Sequence, residues 1–149
     1  MGRPIYFVHI SDSHIGPDKE FESGGRNPYE NLTRLLGALK ALPKKPDFVI
    51  HTGDVATGRQ DILGDPASYR LADEQFAQLG LPLYYAGGNH DDPAEVLKLE
   101  MGEKSAIMEA DEPIVFYSFA VGSEKFVVLH SQGPHEEVGA GGKLPEGQL

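Results

Sequence analysis

Three short clusters in this chain combine side chains that ligate metals or move protons: Asp12-Ser13-His14, Gly53-Asp54 and Asn89-His90-Asp91-Asp92. Asp12 and His14 are separated by one residue at the end of an extended run, so their side chains can point to the same side, a spacing that suits chelation. Asp54 carries two carboxylate oxygens, enough to bridge two cations about 3.5 to 4 Å apart. Asn89 adds a neutral oxygen. The chain has no cysteine, so any metal must be held by oxygen and nitrogen. An isolated Asp-x-His or Gly-Asp is a weak signal, because aspartates after strands commonly cap turns or helices. Three such clusters in one chain, each following an apolar run, point instead to a shared metal site.

The apolar runs are the elements that must position them. Ile5 to Ile10 is nearly continuous and reads as a first, central strand covered on both faces. Phe48 to His51 is a second short buried strand. The stretch from Leu81 delivers a third, which stops at Gly87-Gly88 where the backbone can turn sharply. In an open α/β sheet ligands bind at the carboxyl ends of strands, so the three clusters converge on one edge. Between the strands, Leu32, Leu35, Leu36 and Leu39 recur at helical spacing over Asn31 to Ala41, with Pro28 near the start and Pro43 beyond the end. Asp65-Pro66 has the form of an N-cap followed by proline in the first turn. The stripe Tyr69, Ala72, Phe76, Leu79 then runs to Gly80. Strand, helix and strand in this order form βαβ units.

Segment 16–28 lacks periodicity and reads as a loop beside the first cluster, a place where substrate contacts could lie. Pro93 to Glu100 begins as a helix and weakens toward Gly102. Ile114 to Val121 and Lys125 to His130, separated by Gly122-Ser123, read as a hairpin, where the topology switches from parallel to antiparallel. The glycine- and proline-rich tail from Ser131 has loop composition.

With 149 residues, one domain is expected, burying roughly two thirds of the surface its unfolded chain exposes. Net charge is −10 and the pI is near 4.9, which argues against a non-specific nucleic-acid binder. A small anionic substrate is compatible if cations hold it. No apolar run is long enough for a membrane span or a signal peptide, so a soluble, cytoplasmic protein is expected; self-association is left open.

The phrases His9-Ile-Ser-Asp12-Ser-His14-Ile-Gly, Gly53-Asp54 and Gly88-Asn89-His90-Asp91-Asp92 resemble the first three motifs of the calcineurin-like metallophosphoesterases, and within them the bacterial cyclic-nucleotide and glycerophosphodiester phosphodiesterase branch. The resemblance implies an α/β fold, an α-β-β-α sandwich with a mixed sheet and βαβ crossovers. It also implies two divalent cations (Mn, Fe, Zn or Co) and hydrolysis of a small phosphodiester or phosphomonoester by a metal-activated hydroxide. Asp12 and His14 match the positions that bind one metal, Asp54 the position that bridges both, and Asn89 the position that binds the second. His90 matches the residue beside the leaving group, with Asp91 or a backbone carbonyl orienting it. Nothing after His90 matches the later histidine and Gly-His-x-His motifs that complete the family's metal sites. Residues 1–149 therefore read as one metallophosphoesterase domain without the family's C-terminal half, either a fragment or a shortened relative.

The other histidines have plainer readings. His9 and His51 lie within or at the end of apolar strands and read as hydrogen-bonded core or supporting histidines. His130 and His135 read first as turn or solvated residues, with an improvised metal ligand as the alternative for either. Asp91 and Asp92 are also candidate caps for the helix after Pro93, and Arg26, Lys44 and Lys45 read as solvated charges. A function of another class, a binding or scaffold module with an incomplete metal site, is favoured by the missing histidines and opposed by the three intact clusters.

Overall fold

The computed structural model describes residues 3–59, 63–96, 98–99, 105–109, 112–131, 142 and 144. Three parallel strands, β1 (Phe7–Ile10), β2 (Phe48–His51) and β3 (Leu83–Tyr85), form a sheet in the order β1-β2-β3. Phe7 pairs with Phe48 and Val49 with Leu83, so Ile10, His51 and Tyr85 end together at one edge. Helices α1 (Pro28–Lys40) and α2 (Pro66–Ala77) make the two crossovers, and a single short turn of helix, α3 (Pro93–Val96), follows β3. A second sheet of β4 (Ser105–Glu109), β5 (Glu112–Val121) and β6 (Glu124–Val128) is antiparallel throughout. Among the described residues, the parallel-to-antiparallel switch thus falls between two sheets rather than inside one mixed sheet.

Both helices start by the same device. Asn27 accepts the Glu30 N–H at 2.9 Å and Pro28 opens the first turn of α1. Asp65 accepts from the N–H groups of Ala67 and Ser68 ahead of α2. Asparagine and aspartate at the cap satisfy amides that have no intrahelical partner, and proline next to them lacks an amide that would need one. α1 therefore begins at Pro28, three residues before the start expected from its leucine spacing. The α2 stripe is buried as expected at Tyr69, Ala72 and Phe76, with Leu79 just beyond the helix.

The two faces of the parallel sheet are covered differently, because side chains alternate along a strand. His51 and Tyr85 face the helices, with rings against Phe76 of α2. Phe48 faces the second sheet, with Phe119 and Phe126 edge-on at 5.3 and 5.1 Å, and Tyr84 stacks on Phe119. Tyr117 ties the layers together: its hydroxyl accepts the Tyr85 N–H at 2.8 Å and donates to the Tyr85 carbonyl at 2.7 Å.

Two expectations are corrected. β1 is not a central strand; among the described residues it lies at the sheet edge, and Phe7 remains 44% exposed. An apolar run does not say whether the strand has a pairing partner at each edge, because those partners come from segments distant in sequence. β4 was not expected at all, since Ser105–Glu109 has neither alternation nor a turn signal ahead of it; pairing with β5 makes it a strand. No helix among the described residues is long and apolar enough to cross a membrane.

Tyr117→Phe keeps the ring but leaves the Tyr85 N–H and carbonyl buried without that partner. Urea denaturation should show a loss of about 1 to 3 kcal/mol, and an unchanged midpoint would mean that the bridge contributes nothing.

Candidate metal centre

The loops that leave β1 and β2 run side by side beyond the sheet. Asp12 N–H donates to the Gly53 carbonyl at 3.0 Å, His14 N–H to Asp54 at 2.9 Å and Ile15 N–H to Val55 at 3.0 Å. Along this extension Asp12, His14 and Asp54 adopt φ values of 57°, 45° and 55°, and they are the only non-glycine residues with positive φ among those described. Such backbone costs about 1 to 3 kcal/mol per residue and persists only where the surroundings impose it.

This backbone brings the side chains together. His14 Nε2 lies 3.8 Å from Asp12 Oδ1 and 3.7 Å from Asp54 Oδ2. The His90 ring stands edge-on to that of His14 with centroids 4.8 Å apart. One donor atom each from His14, Asp54 and His90 falls within 4.8 Å of the others, a cluster able to hold a metal ion. His90 is fixed through its backbone: its N–H donates to Asp54 Oδ1 at 3.0 Å, and its carbonyl accepts from Gly64 N–H at 3.0 Å. Asn89 sits half-buried in the same turn.

The glycines make this approach possible. A Cβ on Gly53, whose φ is 111°, would lie 2.8 Å from the Gly88 backbone, and one on Gly88 would lie 2.2 Å from Asp54 Oδ1. No side chain fits between these turns, so glycine is required on both sides.

Supporting residues complete the centre. His51 is fully buried; its Nδ1 accepts the Gly53 N–H at 3.3 Å, which leaves Nε2–H to donate to Ser13 Oγ at 2.9 Å, while Ser13 donates to the Val55 carbonyl. The chain of bonds requires a neutral imidazole, and burial pushes the His51 pKa down to about 4. It links the residue between Asp12 and His14 to the residue before Asp54. His9, read as a hydrogen-bonded core or supporting histidine, is exposed and bonds Thr52 at 2.7 Å. Asp92 caps α3 through Ala94 N–H, as one reading had it.

Asp91 is different. Only 4% exposed, it accepts from the N–H groups of Val55, Ala56 and Gly88 and from the Tyr69 hydroxyl. Burial raises its pKa, against the opposing pull of the Gly88 and Ala56 amides and of Tyr69. Its carboxylate therefore joins the turns after β2 and β3, and does not cap α3. Ser13 and Tyr69 carried no recognisable signal, because their roles depend on partners about 40 and 20 residues away. His130, read as a turn or solvated residue, is buried, its Nδ1 about 3.9 Å from the Cβ position of Gly87. His135 lies outside the described residues.

Asp12, His14 and His90 also line a cavity of about 510 Å³. Its wall includes Arg26, read from sequence as a solvated charge, and Leu35, which is 39% exposed and not part of the buried α1 face formed by Leu32 and Leu36.

Carboxylate and imidazole donors that could hold a metal ion thus gather at the carboxyl ends of parallel strands in an α/β protein. Residues 5–142 match the family described as calcineurin-like phosphoesterase, and the chain belongs to that family. It is 37% identical over 115 residues to a cAMP/cGMP dual specificity phosphodiesterase of Mycobacterium tuberculosis, which covers 73% of this chain and 34% of that protein. It is 33% identical over 96 residues to a probable glycerophosphodiester phosphodiesterase of Arcobacter nitrofigilis (64% and 33% covered). To a DNA double-strand break repair protein Mre11 of Methanococcus maripaludis it is 32% identical over 93 residues (60% and 24% covered). The chain spans about a third of the length of the first two of these curated relatives.

Calorimetric titration with Mn²⁺ or Zn²⁺ should give a binding isotherm that Asp54→Ala largely abolishes; an unchanged isotherm in that variant would exclude the site. For His51, the pKa is depressed in the folded state, so its contribution is complete above the ordinary value near 6.5 and is lost as pH falls toward about 4. Between pH 7 and 4.5, wild type should lose about 2 to 3 kcal/mol more stability than His51→Gln, and parallel acid profiles would refute the neutral-histidine link.

Proposed function

We propose that this chain carries the first part of the metal centre of a phosphodiesterase that acts on a small phosphodiester. The observation that supports this most is that, among the described residues, the three non-glycine residues held at positive φ are all ligand candidates, Asp12, His14 and Asp54. A scaffold that merely kept the fold would gain nothing from that strain. Asp12 and His14 would hold one divalent cation, Asp54 would hold both through its two oxygens, and Asn89 would reach the second. Mn, Fe, Co and Zn all suit this donor set. Bound there, such cations supply the Lewis-acid chemistry that makes water a nucleophile near neutral pH and neutralises charge on phosphoryl oxygens. Four protein ligands leave both cations open, and a C-terminal half like the family's would supply the remaining ones.

The chain's own residues then divide the work. His90, clamped through its backbone by Asp54 and Gly64, has its ring beside that of His14 in the cavity lining, where it can protonate or stabilise a leaving oxygen. Asp91 holds the two turns that carry Asp54 and His90, a positioning role. The names of two relatives, a cAMP/cGMP phosphodiesterase and a probable glycerophosphodiester phosphodiesterase, favour a small diester as substrate.

The test uses the protein from its full natural reading frame, loaded with Mn²⁺, on bis(p-nitrophenyl) phosphate and on a diester with an alkyl leaving group. Hydrolysis should be abolished by Asp54→Ala. His90→Ala should slow the alkyl substrate by about 10²-fold and the nitrophenyl substrate less, with metal content intact. Absence of Asp54-dependent hydrolysis would overturn the proposal; loss of metal in His90→Ala would make His90 a ligand instead.

A further inference from the structure

Beyond the ligand cluster, the cavity wall is built by segment 16–28 and the first turns of α1, and it contains one lysine or arginine among the described residues, Arg26. The chain has 23 acidic and 13 basic residues, so a lone cation facing the cavity stands out. Arg3, Arg34 and Arg59 pair with Asp47, Glu30 and Asp18. The Arg26 guanidinium has no hydrogen bond or ion pair among the described residues.

The backbone beneath it is nevertheless tightly held. Ser23 and Arg26 exchange N–H to carbonyl bonds of 2.9 and 3.0 Å across Gly24 and Gly25, whose φ values are 56° and 71°. That is the tight two-residue turn whose positive φ values glycine adopts without strain. The next residue, Asn27, caps α1 and donates to the Lys19 carbonyl at 2.7 Å, and Asp18 is pinned by Arg59. The turn therefore holds Arg26 on a fixed backbone in a cavity wall that also includes Asn31, Asp12 and His90. A planar guanidinium matches the two oxygens of a phosphate group, and rigid presentation lowers the entropy lost on binding.

We propose that Arg26 is a specificity-determining residue whose guanidinium binds the phosphoryl oxygens of the ligand in this cavity. The proposal rests on the phosphodiesterase reading for the identity of the anion, but not for the binding itself. Free phosphate and a phosphodiester share the chemistry, and separate measurements address each.

The experiment compares wild type, Arg26→Gln and Arg26→Lys in the Mn²⁺-loaded protein from the full natural reading frame. Inorganic phosphate affinity is measured by calorimetry, kcat and KM on bis(p-nitrophenyl) phosphate, and Mn²⁺ content on the same samples. Arg26→Gln should weaken phosphate binding and raise KM by about tenfold, with kcat and Mn²⁺ content near wild type, and Arg26→Lys should recover part of the loss. Arg26-dependent phosphate binding without any hydrolysis would sustain this proposal while overturning the catalytic reading. Unchanged phosphate affinity and KM in Arg26→Gln would overturn it even in an active enzyme. So would a wild type that binds no phosphate, or a variant that loses Mn²⁺ together with phosphate, since Arg26 would then act through the metal site.

Discussion

The centre depends on the contact between two turns that leave no room for a side chain. Gly53 and Gly88 approach so closely that a Cβ on either would overlap the other turn, and the Asp54 carboxylate occupies the gap. Because the turns touch, one Asp54 oxygen accepts the His90 N–H while the other lies 3.7 Å from His14. Clusters from three strands thereby become one set of donors. The parallel register makes this contact available: strands that end together at Ile10, His51 and Tyr85 send their loops past the same edge.

Two buried polar groups stiffen that arrangement from behind. His51 spans the first and second clusters through Ser13 and the Gly53 amide, and Asp91 spans the second and third through amides of Val55, Ala56 and Gly88. Both are almost wholly removed from water, which would be unfavourable without partners; His51 meets this by staying neutral and Asp91 by accepting several hydrogen bonds. Their bonds oppose the strain at Asp12, His14 and Asp54. The aromatic layer of Phe48, Tyr84, Phe119 and Phe126 contributes on the opposite face, where burial of large rings anchors the strands whose ends carry the site.

The cavity shows the same division between a rigid frame and an exposed chemical group. Segment 16–28 has no helix or long strand before Pro28, yet a glycine turn and the Asn27 cap fix it at the start of α1, and the Asp18–Arg59 pair ties it to the stretch after β2. Pro28, Leu32 and Leu35 give the wall an apolar stretch next to Arg26 and Asn31.

Much of this was legible in the chain because it is local. Strand β2, the stripe of α2 and its Asp65-Pro66 start, the hairpin at Gly122-Ser123 and the polar clusters after each strand are all set by neighbouring residues, through periodicity, capping and turn chemistry. The family likeness likewise rests on contiguous motifs. Asn27-Pro28 carried the same start signal as Asp65-Pro66, and the more distant leucine spacing obscured it. Tertiary structure alone decided the rest: that β1 lies at the sheet edge among the described residues, that the carboxylate of Asp91 joins two loops, and that Arg26 lines the cavity. Each of these depends on a partner or neighbouring element distant in sequence. Alternation and spacing report which side chains share a face, whereas what lies opposite that face is determined only when the whole chain has packed.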